Sequence, residues 1–187
     1  MAGNEGYFDL VNDLLASLEA ARLGPRFQVC VFDLGFTPAQ LRLLEARVHT
    51  IVIPGWCIDF PLRATAPSWY RAMVNRPFLP RCFPGYDTYV WLDADTWVQR
   101  GDCILDLVAK AAGGKIALVY EAFGPPVTMT IQMADGTVRR GQISEQTVRA
   151  ALAQCYTICF GPAAAVHAKG PLTNSGVFAI RGDSPVW

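Results

Sequence analysis

Apolar residues recur at three- and four-residue spacing from Phe8 through Val11, Leu14, Leu15, Leu18 and Ala21, which predicts an amphipathic helix. Asn4 stands where a cap is needed, and Gly24-Pro25 stands where the helix must stop. The pattern then changes. "FQVCVFD", residues 27–33, is continuous and apolar and reads as a buried strand. Thr37-Pro38-Ala39-Gln40 joins a capping box to a proline at the first helical position, so a second helix runs to about Arg47. "HTIVIP" is a further short strand, and residues 55–67, rich in Gly, Pro and aromatics, read as a loop. A helix from about Ser68 is interrupted at Asn75-Arg76-Pro77, because proline pushes its predecessor out of helical geometry. The strand of residues 88–92 follows, then a helix carrying Ile104, Leu105, Leu107, Val108 and Ala111, with Asp102 as its expected cap and Gly113-Gly114 at its end. "KIALVY" is the next strand. Helices alternating with continuous apolar strands imply a parallel sheet wrapped by helices. After residue 124 the texture changes. "VTMTIQMADGTVRRG" alternates around Asp135-Gly136 and predicts a hairpin. A helix from Ser144 to about Cys159 and a strand over "NSGVFAI" complete the pattern.

Composition narrows the classes. A chain of 187 residues, 52% hydrophobic and 17% charged, is large enough for one domain with a sizeable core and excludes a disordered, solvated module. Formal net charge is zero and no run of Lys and Arg occurs, so no broad positive field is available for nucleic acid; Arg139-Arg140 reads as a solvated turn. Six cysteines form no CxxC pair, which disfavours zinc. Cys30, Cys155 and Cys159 lie in apolar stretches and are expected as reduced, buried thiols. No basic segment leads an apolar one at the start, and no run of about 18 apolar residues exists, so neither a signal peptide nor a transmembrane segment is expected. A cytoplasmic location follows as the default expectation. Both ends are abrupt: a helix pattern opens within a few residues of Met1, and the chain stops at Trp187 just after a strand.

The chemistry concentrates in "YVWLDADTWVQ", residues 89–99, where an apolar strand runs into Asp93-Ala94-Asp95-Thr96. Ligands in open parallel sheets sit beyond the carboxyl ends of strands. Buried carboxylates need compensation, and two of them at this spacing can turn toward one hard cation, which prefers oxygen ligands and bridges carboxylates to phosphates. A second reading is a phosphatase of the haloacid dehalogenase type, with Asp93 as nucleophile and Asp95 as general acid/base. There the threonine falls one position early, and several strand-helix units precede the motif where such motifs open a domain. A third reading makes the two aspartates turn and cap residues.

"YDTYVWLDADTWVQ" resembles the Asp-x-Asp region of GT-A-fold glycosyltransferases, closest to the glycogenin and galactosyltransferase-like group called family 8. "GNEGYFDLVNDLLASL", "NRPFLPRCFPGYD" and "TNSGVFAI" resemble further pieces of that family in the same order. The resemblance implies a Rossmann-like α/β fold with a mostly parallel central sheet and helices on both faces, forming residues 1–187 of one partial domain. Its first strand, normally just before Asn4, is expected to be missing, as is its C-terminal part. The resemblance also implies Mn²⁺ or Mg²⁺ on Asp93 and Asp95, the base of a nucleotide on Asn4 and Tyr7, donor phosphate or sugar on Arg76, and donor sugar on Asn174 and Ser175. The partners implied are a nucleotide-sugar donor, UDP-linked, and an unidentified acceptor hydroxyl, with hexose transfer under retention. The family's third metal ligand is a histidine further downstream. Neither His49 nor His167 matches it, no catalytic nucleophile is assigned, and Asp183 reads as a turn residue. A non-catalytic remnant of the same fold stays open beside the phosphatase.

Overall fold

The computed structural model describes residues 1–60, 63–121, 123–132 and 137–187. It is a mixed α/β structure and divides into two compact units, Met1–Leu118 with Ser175–Trp187, and Val119–Asn174.

The first unit opens with a two-residue strand, β1 (Ala2–Gly3), and a single 3-10 turn over Glu5–Tyr7. Asn4 caps that turn by accepting the Tyr7 amide on its Oδ1 at 3.1 Å. Helix α1 (Phe8–Ala21) follows, and it ends where Arg22 takes a left-handed conformation, φ 50°. Strand β2 (Cys30–Asp33), helix α2 (Pro38–Glu45) and strand β3 (Thr50–Val52) come next. The Thr37/Gln40 capping box of α2 forms as its sequence predicts. β1, β2 and β3 pair in that order, both junctions parallel. The expected absence of a first strand is therefore corrected: β1 exists, held by Ala2↔Phe32 and Gly3↔Asp33, but it is short. Gly3 suits this position because an added Cβ would lie 2.7 Å from both Phe36 and Val11.

After the loop come α3 (Tyr70–Asn75), a 3-10 turn over Arg76–Phe78 and α4 (Leu79–Cys82); the expected displacement of the residue before Pro77 is corrected, since Arg76 stays helical at φ −53°, ψ −42° and the backbone departs at Phe78, φ −121°, ψ 23°. Strand β4 (Thr88–Leu92) leads to α5 (Gly101–Lys110) and β5 (Ile116–Tyr120). Strand β8 (Thr173–Arg181) lies between β4 and β5, and it runs antiparallel to β4. The mostly parallel sheet is thus corrected to a parallel set of three strands beside an antiparallel β4–β8 pair. Asp102 does not cap α5: Arg100 is the N-cap, and Asp102 in the first turn is paired with Arg100.

Strand alternation sorts the core onto two faces. Val31 and Leu92 pack with Val11, Leu14, Leu15, Leu44 and Ile104 of α1, α2 and α5. Phe32 and Trp91, their strand neighbours, pack with Ala72 of α3 and Leu79 of α4 and with Phe83. Helices therefore cover both faces of this unit. One polar residue sits inside the first core. Ser17, on the buried side of α1, donates to the Leu14 carbonyl at 2.7 Å and accepts the Val98 amide at 3.1 Å, fixing the segment that follows β4.

In the second unit, β6 (Val127–Gln132) and β7 (Val138–Ile143) form the predicted antiparallel hairpin; its expected turn, Asp135-Gly136, lies outside the described residues. Ser144 caps α6 (Glu145–Phe160) with a reciprocal Thr147 contact. Cys155 and Cys159 are exposed, which corrects their expected burial, and Cys30 of the first unit is half-buried. α6 contains no buried residue, so no described residue of this unit encloses its thiols. No described helix is long and apolar enough to cross a membrane.

Candidate functional site

Beyond β1 and β4, a cavity of about 440 Å³ is lined by Asn4, Tyr7, Arg76, Asp93 and Asp95, with Trp69 and Met73 of the α3 segment among the other wall residues. β1 and β4 each bring their C-terminal end there. The short β1 delivers Asn4 and the turn bearing Tyr7, and β4 delivers the two aspartates. Arg76, which opens the 3-10 turn between α3 and α4, lies against them. Five of the seven site residues expected from sequence therefore share one cavity. Two further cavities, about 320 and 500 Å³, lie at Met1 and carry none of those residues.

The two aspartates have different environments. Asp93 Oδ1 accepts from Arg76 Nη2 at 2.6 Å and from Trp91 Nε1 at 2.8 Å. Its backbone is fixed as well: the Asp93 amide donates to Gly176 O at 2.8 Å, continuing the β4–β8 ladder, and its carbonyl accepts from the Thr96 amide at 3.0 Å in a tight turn. Asp95 is exposed and has no hydrogen-bond partner among the described residues. The compensating cation for the first carboxylate is thus an arginine of the same chain. A close, partly buried, charge-assisted contact of this kind holds both groups in place.

Arg76 is not the solvated helix-end arginine that position alone allows. Nη1 donates to Ser175 O and Ser175 Oγ, both at 3.1 Å, and the guanidinium lies over the Trp91 ring, 5.0 Å from its centroid. Nε is buried and has no hydrogen-bond partner among the described residues. Ser175 therefore joins the cluster through Arg76, from the start of the β8 segment in this unit. Asn174 belongs to the second unit, where it has an interaction of its own.

Tyr7 is 53% exposed on the cavity wall, so its ring is open to a partner. Asn4 uses Oδ1 for the turn and keeps its amide NH₂ outside the cap. Trp69, also exposed, is stacked on Tyr70 with centroids 4.0 Å apart. Sequence reasoning missed Trp91 as part of the site. The signal was available: Trp91 and Asp93 are two residues apart at a strand end, and side chains so spaced share a face.

The remaining polar candidates sit apart from these groups. His49 Nδ1 accepts the Val29 amide at 3.0 Å at the strand-entry side. Asp183 is paired with Arg181, whose guanidinium holds the carboxyl below the usual range, as a turn residue would be. Among the described residues, no three His, Cys, Asp or Glu side chains gather as a metal site. Two carboxylate residues alone still fit a hard cation of the magnesium type, which takes one or two protein carboxylates and completes its shell with phosphate and water. Comparison with protein-family models, with curated proteins and with solved structures finds no match for this chain.

Proposed function

We propose that the chain carries the donor site of a metal-dependent glycosyltransferase of GT-A type, moving a hexose from a nucleotide diphosphate sugar, UDP-linked, to an acceptor hydroxyl with retention. The observation that carries this reading is the joint placement of Asn4, Tyr7, Arg76, Asp93 and Asp95 on one cavity. Those residues come from three separated segments that resemble that family, and Ser175 from a fourth adjoins them through Arg76.

The roles follow from chemistry. The exposed Tyr7 ring offers a stacking face to a base. The Asn4 NH₂ offers a donor to the edge of that base. Asp95, with the unbonded Oδ2 of Asp93, would hold Mn²⁺ or Mg²⁺. When bound, that cation supplies Lewis-acid assistance to a departing diphosphate. Arg76 contributes fixed positive charge at the same end of the cavity. Its two amino groups are already engaged with Asp93 and Ser175, so its part in this reading is to set the field and hold the aspartate.

Calorimetric titration of UDP, UDP-glucose and UDP-galactose, with and without Mn²⁺, tests the reading on the chain and on Asp95→Asn. Metal-dependent binding that disappears in the variant supports it. A folded chain that binds none of the three refutes it and favours a phosphatase or a non-catalytic remnant.

A further inference from the structure

We infer that Trp91 is a positioning residue of this site: its indole N–H and the Arg76 guanidinium together immobilise one oxygen of Asp93, so that the aspartate offers a cation only the other. The inference rests on the cation-dependent reading above and adds to it a residue and a denticity.

Three observations carry it. Trp91 is 2% exposed, and its ring packs against Phe32 at 6.0 Å between centroids, so the indole is fixed by the core and not by the site. Its one polar atom leaves that core toward Asp93, donating at 2.8 Å to the same Oδ1 that Arg76 reaches at 2.6 Å. The guanidinium also lies over the indole face, so the two donors brace each other. Oδ1 thus carries two donors, one of them cationic, while Oδ2 has none among the described residues. A carboxylate held this way cannot swing to chelate through both oxygens without losing two hydrogen bonds. Asp93 therefore binds through a single oxygen, and its orientation is set before any ligand arrives, which is the condition for an electrostatically prepared site.

The geometry separates this role from packing. Phenylalanine at position 91 keeps an aromatic ring in the core and removes only the N–H and part of the ring area. Trp91→Phe is expected to weaken the Mn²⁺-dependent gain in UDP affinity about tenfold, or about 1.4 kcal/mol. The double variant Trp91→Phe/Asp93→Asn should bind no more weakly than Asp93→Asn alone, because both act on one carboxylate. A Trp91→Phe chain within twofold of the parent, or additive losses in the double variant, overturns the inference. A structural readout runs beside this on metal-free protein. The Trp91 indole N–H resonance, identified by its disappearance in Trp91→Phe, should move and exchange faster in Asp93→Asn. An indole resonance indifferent to Asp93→Asn overturns the clamp itself. A parent chain whose UDP binding ignores Mn²⁺ refutes the transferase reading, and the resonance then still decides whether the clamp exists.

Discussion

Asp93→Asn and Asp95→Asn are expected to differ in stability, although one residue separates them. Asp93 is 34% exposed and Arg76 only 16%, and the contact is direct. A hydrogen bond between charged groups contributes about 1.5–3 kcal/mol. Partial exposure of the carboxylate moves that toward the surface-pair value, below about 1 kcal/mol. Asparagine offers the Trp91 N–H only a weaker, neutral acceptor and removes the charge opposite a largely buried guanidinium. The net loss should be about 1–2 kcal/mol, a fall in Tm of about 2–8 °C for a chain of this size. Asp95 is exposed and unbonded, so its substitution should change stability by no more than about 0.5 kcal/mol while removing metal-dependent donor binding. Urea unfolding followed by tryptophan fluorescence and far-ultraviolet circular dichroism gives both numbers, provided the two signals coincide. Equal stability of Asp93→Asn and the parent, or an equal loss in both variants, would refute the assignment of Asp93 to the Arg76 pair.

Ser17→Ala should cost about 1–3 kcal/mol, because it leaves the buried Val98 amide without its acceptor; faster amide exchange at Val98 is the companion signal. Gly101→Ala should destabilise by about 1–3 kcal/mol, since an added Cβ would lie 2.6 Å from the Ala21 carbonyl. Gly55→Ala, with open space around it, is the matched control and should leave the urea midpoint in place. The Met1 amine is lowered from 8.0 to about 6, chiefly because burial disfavours its charge. A base held more weakly protonated in the fold than in the unfolded chain makes stability rise with pH across that window. The 187-residue chain should therefore lose about 2 kcal/mol as pH falls from 8 to 6, and acetylating Met1 should flatten the slope in a pH series of urea melts.

The helices were legible where their local chemistry was complete. Thr37-Pro38-Ala39-Gln40 carries a capping box and a first-turn proline, and α2 begins there. Pro77 marked where α3 gives way to a 3-10 turn, but the residue before it, Arg76, stays helical. Strand lengths were less legible: "FQVCVFD" is apolar throughout, yet only Cys30–Asp33 finds β partners. β1 was missed because two residues give no periodicity, and it forms only through the parallel edge of β2. β8 looks in sequence like any buried strand, and nothing local says that it runs antiparallel beside β4. Cys155 and Cys159 misled because an apolar run of helical residues does not reveal whether a covering surface exists. For the site, residue types and order were readable, but the counter-charge of Asp93 was not. The pairing of Arg76 with a group 17 residues on depends on tertiary packing of α3 and α4 against β4.

The stitching of Arg76 to Ser175 has a consequence for the order in which the protein is made. These partners are 99 residues apart. At about 5–20 residues per second of synthesis, Arg76 emerges roughly 5–20 seconds before Ser175 exists. Until then β4 has an open edge, the Asp93 amide lacks the Gly176 carbonyl, and Arg76 lacks Ser175. The parallel β1–β2–β3 set, by contrast, can close within the first third of the chain. Nascent chains halted between β5 and β8 would therefore display a hydrophobic strand edge ending in two aspartates, although every residue that lines the cavity, Ala2 to Asp95, has by then been made.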